Sequence, residues 1–436
     1  MRRLQITTLL ILLLSAEVLT AAELLQKLKE ISQQFPIRFE EMETDTAFSE
    51  KYLVWFTQPV DHFSDSALQF DQRVFISHRS FDRPVIFITE GYSAGYAMRK
   101  GGHHELTSYL QANEVVVEHR YFGKSTPSDT VWNKLTVRQA AADHHDVMRL
   151  IRELYNTPVL TTGISKGGQT AMFYRTFYPD DANVTVSYVA PLNFSPVDCR
   201  VYDFLENVGS PENRQAIRNF QLRLLKEADV CFPEFVRLAR QKGLTYPMGD
   251  RKGFELTVLE YSFAFWQWGN ITDSIPGPDA SPQEMIRHLD KVAGLKWVSD
   301  EGIYEMLPFF YQAMTEIGFY GYDITGFEEL VSFDQNPVFD FTMPKGMPWE
   351  YHQETMQKVD CFVRHNAEKM MFIYGETDPW SATKVEVPAC SPVKVIVKPG
   401  GSHLTRIRNL PDSMKREVLA TIREWAGLTG NDTVSQ

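Results

Sequence analysis

The sequence predicts an α/β fold, a mostly parallel β-sheet covered by helices on both faces and interrupted once by a helical insertion. Three observations carry this expectation. Short continuous apolar runs such as "PVIFIT" and "NEVVV" alternate with segments of helical spacing, which marks strands buried on both faces. From about Ser195 to Met347 the alternation gives way to helical, aromatic-rich sequence, including "EYSFAFWQWGN" and "MLPFFYQAMTEIGFYGYD". The strand pattern then resumes in "KMMFIYGETDPWS" and "VKVIVKPGGSH".

Taken in order, the chain opens with Arg2 and Arg3, an apolar run from Ile6 to Leu14, and the small residues Thr20-Ala21-Ala22. That is the pattern of a signal peptide over residues 1–22, cleaved near Ala22. The run is too short to span a bilayer as a stable helix, so the mature protein is expected to be secreted or periplasmic with no membrane span. An uncleaved anchor is the other reading of the same run. After an amphipathic lead-in (residues 23–35), "KYLVWFTQPVDHF" and "QFDQRVFISH" form two strands joined by a polar turn. Val85–Thr89 is a strand that breaks at Gly91, and Val115–Glu118 a strand that turns at Gly123. "TVRQAAADHHDVMRLIREL" has helical spacing, "TPVLTTGIS" and "VTVSYVAPL" are strands, and "LPDSMKREVLATIREWAG" is a closing amphipathic helix. The domain reading is therefore a core of residues 23–194 and 348–436, with a mostly helical cap inserted at 195–347.

Composition bounds the function. Hydrophobic residues at 43% and charged residues at 23% over 436 positions describe a globular chain and exclude a disordered or fibrous one. A net charge of −12 with no basic stripe excludes a nucleic-acid partner. Four cysteines, Cys199, Cys231, Cys361 and Cys390, are an even set suited to an oxidising compartment, and disulfides Cys199–Cys231 and Cys361–Cys390 are favoured because each closes a local loop. No CxxC pair suggests zinc. The histidines of His103-His104 and of "DHHD" at 143–146 lack the H-E-x-x-H spacing, so no metal is expected. The sequence leaves the oligomeric state open.

The chemistry centres on "VLTTGISKGGQTAMFY", where Gly163-Ile164-Ser165-Lys166-Gly167 follows a strand and precedes a helix. A serine hydroxyl is a poor nucleophile until an imidazole takes its proton and a carboxylate holds that imidazole in the right tautomer. In an α/β-hydrolase fold the nucleophile sits on a tight strand-to-helix turn, and its partners follow in the order Ser, acid, His. That order is present: Ser165, then Asp378 in "YGETDPWS", then His403 in "KPGGSHLTRI". Each lies just past a strand, where parallel sheets place their sites. Glu376 competes for the acid role, and Asp378 is preferred because Asp378-Pro379-Trp380 suits a rigid turn. The oxyanion hole is expected to use the backbone N–H of Lys166 and a second N–H from Gly91 or Tyr92.

Several further stretches accompany this constellation: "FTQPVDHF" with "FDQRVF", "EHRYFGKS", "LTVRQAAADHHD", "GISKGGQTA", "FFYQAMTEIGFY" and "GETDPWS". Together they resemble the exported serine peptidases that act at proline. These are the prolylcarboxypeptidase and dipeptidyl-peptidase II group and their bacterial relatives, the secreted prolyl tri-/tetrapeptidyl aminopeptidases. The resemblance runs from about Tyr52 to His403 and implies an α/β-hydrolase core with a helical cap, no cofactor, and hydrolysis of short peptides after proline. Ser165, Asp378 and His403 match its triad positions. The loop "TEGYSAGY" departs from the Gly-Asn-Glu-Gly version usual in the eukaryotic-type enzymes, which favours the bacterial branch.

An aminopeptidase must meet a free ammonium group with a desolvated carboxylate, and Glu90, Glu316 and Glu260 are the candidates. Aromatic side chains pack well on a proline ring, and Trp266, Trp268, Phe319 and Trp380 are the candidates there. The partners expected are peptide substrates. A carboxylic-ester hydrolase (esterase or lipase) on the same scaffold and a non-catalytic binding protein of this fold are the alternative functions, and the complete triad weighs against the second.

Overall fold

The computed structural model describes residues 23–65, 67–128 and 131–428; the segment read as a signal peptide lies outside the described residues. The chain divides into two compact units, one running up to Ser187 and resuming at Ser413, the other spanning Tyr188–Asp412.

The first unit begins with helix α1 (Glu23–Ile31) and strands β1 (Ile37–Glu41), β2 (Glu50–Pro59), β3 (Gln69–His78) and β4 (Val85–Thr89). Helix α2 (Glu105–Leu110), strand β5 (Asn113–Val117), helix α3 (Val137–Leu154), strand β6 (Val159–Ile164), helix α4 (Lys166–Phe177) and strand β7 (Val184–Tyr188) follow. The strands lie in the order β1-β2-β3-β5-β4-β6-β7. The first pairings, through β3 with β5, are antiparallel, whereas β5, β4 and β6 are mutually parallel. The loops that leave β4, β5 and β6 therefore emerge at one edge of the sheet, the edge where parallel sheets place their sites.

The central strands are buried along their whole length, as their unbroken apolar runs predict. One face of α3 (Val147, Met148, Ile151, Leu154) packs with Val85, Phe87, Val115 and Val117, and Leu24 and Leu28 of α1 join the same core. Each such side chain contributes about 1.5–3 kcal/mol of burial. Strand β1, "IRFEE", is an element the sequence pattern misses, as it does the short helix α2: β1 is an edge strand paired to β2, so it has no need of an apolar run.

The first unit also holds a fully buried ion pair that explains three of the quoted motifs at once. Arg120, from "EHRYFG", donates Nε to Asp143 Oδ2 at 2.6 Å and Nη2 to Asp143 Oδ1 at 2.7 Å. Its Nη1 reaches the carbonyls of Val60 and Lys134. Asp143, from "DHHD", also meets His62 Nε2 of "PVDHF" at 2.7 Å. Burial works to raise the Asp143 pKa, but Arg120 and His62 outweigh it and hold the carboxyl below the usual carboxylate range. The other histidines of these motifs are also structural: His103 bridges Asp45 and Glu114, His144 meets the Ala140 carbonyl and His145 meets Asp181.

The second unit contains helices α5 (Arg200–Asn207), α6 (Pro211–Lys226), α7 (Ala228–Gln241), α8 (Asp250–Gln267), α9 (Pro282–Val292) and α10 (Asp300–Gln312). A π-helical turn (Ala313–Ile317), helix α11 (Glu354–His365) and the parallel strands β8 (Met370–Gly375) and β9 (Lys394–Lys398) complete it. Local signals set several helix starts: Ser210 caps α6 ahead of Pro211, and Ser281 with Glu284 forms a capping box on α9. Helix α8 is apolar nearly all round and is buried accordingly. Of its two buried acids, Glu255 and Glu260, the second accepts the hydroxyls of Tyr320 and Tyr322 at Oε2, each at 2.8 Å.

The expected disulfides are corrected here. All four cysteines are free thiols: Cys231 is buried in α7, while Cys199, Cys361 and Cys390 are exposed. Their spacing along the chain closes short loops, but spacing does not bring side chains into bridging geometry. Burial pushes the Cys231 thiol up to about 11.

Two stability predictions follow from these buried charges. Asp143→Asn leaves Arg120 buried against a neutral partner and should cost about 3–5 kcal/mol in denaturant unfolding, whereas a loss under about 1 kcal/mol contradicts the pairing. The Glu260 carboxyl, ordinarily near 4.5, is pushed up to about 8 by burial, with the two phenols acting against that rise. The folded state therefore binds more protons between those values, and the stability this proton brings is lost as pH rises from about 4.5 to about 8. Glu260→Gln should gain on the wild type across that window, and a melting-temperature difference that stays flat with pH contradicts it.

Candidate active site

Ser165 joins β6 to α4 with φ 56° and ψ −123°, a backbone conformation that a residue with a Cβ adopts only under constraint. The constraint is close packing of backbone on backbone. A Cβ on Gly163 would lie 2.1 Å from the Gly167 carbonyl oxygen, so only glycine fits before the turn. A Cβ on Gly91 would lie 2.6 Å from the Gly167 nitrogen, so the loop after β4 rests directly on the start of α4. The hydroxyl is thereby presented at the mouth of a helix N-terminus, whose first N–H groups have no intrahelical partner.

The loop after β4 is pinned at successive residues. The Glu90 N–H donates to the Val117 carbonyl at 3.1 Å, and the His119 N–H to the Tyr92 carbonyl at 3.2 Å. The Ala94 N–H donates to Glu118 Oε1 at 2.9 Å. Glu118 is fully buried and also accepts Arg73 Nε at 2.8 Å and Ser125 Oγ at 2.7 Å, which ties the "EHRYFGKS" turn to the same loop. Glu90 accepts the Tyr96 hydroxyl at 2.6 Å. Burial pushes its carboxyl up to about 7, with hydrogen bonds from Tyr96 and the Gly91 N–H acting against the rise.

The second unit carries an acid–imidazole pair. His403 Nδ1 lies 2.7 Å from Asp378 Oδ2, and both side chains are buried. Asp378 Oδ1 accepts the Trp380 N–H at 3.2 Å, closing the Asp-Pro-Trp turn. Glu376, the competing acid, faces solvent and caps the Gly400 N–H at 2.7 Å. The acid and imidazole loops are laced together, with the Thr377 N–H donating to the Gly401 carbonyl at 2.8 Å. The His403 N–H donates to the Gln267 carbonyl at 2.9 Å, so the end of α8 holds the imidazole loop from the other side.

The aromatic residues separate into groups. Trp380 and Phe319 lie together, ring centroids 5.6 Å apart, with Phe263 and Tyr320 stacked beside them at 4.0 Å. This cluster begins two residues from Asp378. Trp268 is 48% exposed, and its ring stands edge-to-face with His403 at 5.9 Å. Trp266, two positions earlier on the helix, faces away and lines a cavity of about 310 Å3 with Tyr202, Arg214, Phe263, Tyr320 and Tyr322. Phe263 and Tyr320 were missed in the sequence, where they carry no signal beyond the aromatic richness of their segments. Of the candidate carboxylates, Glu316 sits in the π-helical turn and accepts Thr355 Oγ1 at 2.7 Å, and Glu260 lies beneath Tyr320 and Tyr322. Among the described residues no cluster of three or more His, Cys, Asp or Glu is arranged to hold a metal ion, and no helix is long and apolar enough to cross a membrane.

Residues 36–435 match the family described as PS-10 peptidase S37. The prolyl tri/tetrapeptidyl aminopeptidase of Streptomyces mobaraensis is 31% identical over 390 residues, covering 87% of this chain and 80% of its own. The lysosomal Pro-X carboxypeptidase of Mus musculus is 30% identical over 166 residues, 34% of each chain. Among solved structures, the proline iminopeptidase of Mycobacterium smegmatis aligns at 14% identity with a TM-score of 0.41, over 86% of this chain and 100% of its own. With a family match over nearly the whole chain, on an α/β-hydrolase fold that carries a strained serine elbow, this protein belongs to the S37 peptidase family and is a serine peptidase.

Proposed function

We propose that the chain is an exported exopeptidase that removes short peptides, two to four residues long, from the N-terminus of its substrates by cleaving after proline. The substrate class rests on the Streptomyces mobaraensis aminopeptidase, whose similarity extends over most of both chains. The mechanism rests on one observation above the others, the strained backbone of Ser165 at the β6–α4 turn. Export rests on the pattern of residues 1–22, with release near Ala22.

In this reading Ser165 Oγ attacks the proline carbonyl carbon while its proton passes to Nε2 of His403. Asp378, bonded to Nδ1, fixes the tautomer and stabilises the imidazolium. The carbonyl oxygen becomes an oxyanion and is met by the Lys166 N–H and an N–H of the loop after β4. Collapse breaks the C–N bond, and the departing amine takes the proton from His403. The acyl group is left on Ser165 as an ester, and a water activated by the same imidazole hydrolyses it. The helical segment 195–347 acts as a cap: Phe319, Trp380 and Trp268 offer flat apolar faces to the proline ring. Glu316, Glu260 and Glu90 are the carboxylates available to the substrate ammonium.

The test is a comparison of substrates. Ala-Ala-Pro p-nitroanilide with a free N-terminus should turn over, and blocking that terminus or replacing proline by alanine should lower kcat/KM by at least about 100-fold, the scale of an unpaired buried charge or a lost specific contact. Ser165→Ala should remove essentially all turnover without lowering the melting temperature. Rapid turnover of simple acyl esters alongside inert prolyl peptides would instead make the protein an esterase, and binding of prolyl peptides without turnover would make it a binding protein.

A further inference from the structure

The side chain of Lys166 is used by nothing described so far, yet it is the most unusual group in the first unit. It is the first residue of α4, directly after Ser165, and is 4% exposed. Its ammonium donates to the Gly91 carbonyl oxygen at 2.8 Å. It lies over the rings of Tyr92 and Phe122, 5.7 Å and 5.3 Å from their centroids. Burial pushes its pKa down to about 7, and the field of Glu90 opposes that fall. Taking an ammonium out of water costs several kcal/mol, so a chain that only needed to fill this space would do better with methionine.

The ammonium grips one end of a planar unit. The Gly91 carbonyl and the Tyr92 N–H belong to the same trans peptide and point in opposite directions across it. Fixing the oxygen therefore fixes the direction of the N–H. The other N–H of the loop, that of Gly91, lies beside the Glu90 carboxyl and favours its charged form. Glu90 is in turn held by the Tyr96 hydroxyl at 2.6 Å.

We infer that the Lys166 side chain is a positioning residue for hydrolysis: by holding the Gly91 carbonyl it aims the Tyr92 N–H, which serves as the second oxyanion donor beside Lys166's own N–H. This rests on Ser165 being the nucleophile. A loop left free to rotate its 91–92 peptide would still bind substrate but would stabilise the tetrahedral species less.

Lys166→Met keeps the apolar stem and removes the donor. Activity is read per active site, counted by fluorophosphonate labelling, so that an unfolded fraction does not enter. The variant should lose about 10- to 100-fold in kcat, short of the full loss of an oxyanion donor, with KM changed less than about twofold. Affinity for a peptidyl-proline boronate, whose tetrahedral adduct places an oxygen in the oxyanion hole, should fall by the same factor as kcat. If Lys166→Met does not fold, Lys166→Gln, with a shorter neutral donor, should show the same parallel loss at smaller size. Wild-type kcat, a loss confined to KM, or a lower kcat with unchanged boronate affinity would overturn the inference. Full turnover by Ser165→Ala would instead remove the reading on which it stands.

Discussion

A serine held at φ 56° and ψ −123° lies uphill by about 1–3 kcal/mol, and the first unit is organised around holding it there. The hydroxyl must leave the sheet at the end of β6 and stand in front of α4 rather than fold into the helix. Gly163 and Gly91 permit this, because any side chain at either position would collide with the backbone of Lys166 or Gly167. The same contact brings the loop after β4 against the first turn of α4. Strain at Ser165 and the close approach of the loop after β4 are thus one constraint.

Around that contact the unit is built from buried charge. Glu118 ties β3, the loop after β4 and the turn after β5 to one carboxylate. Arg120 and Asp143 tie that turn to α3. Such pairs add little net stability compared with well-packed apolar side chains, but they tolerate only one arrangement of the segments they join, because a half-made pair leaves a charge unpaired in the interior. In the second unit the Asp378–His403 pair is braced in a similar way, by the Gly401 carbonyl on one side and the end of α8 on the other. Helix α8 runs from Glu260, under Tyr320 and Tyr322, to Gln267 and Trp268 at the imidazole. Within the second unit, changes in the helical segment are therefore mechanically close to His403.

Much of this was legible in the sequence, and the exceptions have physical reasons. Strands β4 to β8 announced themselves because a strand covered on both faces must be apolar throughout, while β1, an edge strand with charges in "IRFEE", had no such obligation. The preference for Asp378 over Glu376 came from the rigidity of Asp-Pro-Trp, and the structure pairs Asp378 with His403. The disulfides failed because an even cysteine count says nothing about where side chains point, and Cys231 points inward from a helix. Trp266 and Trp268 looked equivalent in the sequence, yet two positions on a helix turn about 200°, so one is buried and the other stands beside the imidazole. The burial of the Lys166 side chain was hidden for a different reason. A lysine after a nucleophile reads as a solvated charge until the aromatic rings that enclose it are known.

The proposed activation of Ser165 by His403 is tested most directly by covalent labelling of the folded protein with a fluorophosphonate, followed by peptide mapping. Labelling should give a single adduct, on Ser165, whose formation slows by at least about 1,000-fold in His403→Ala. A wild-type protein that stays unlabelled, an adduct on another residue, or labelling of His403→Ala at the wild-type rate would contradict it.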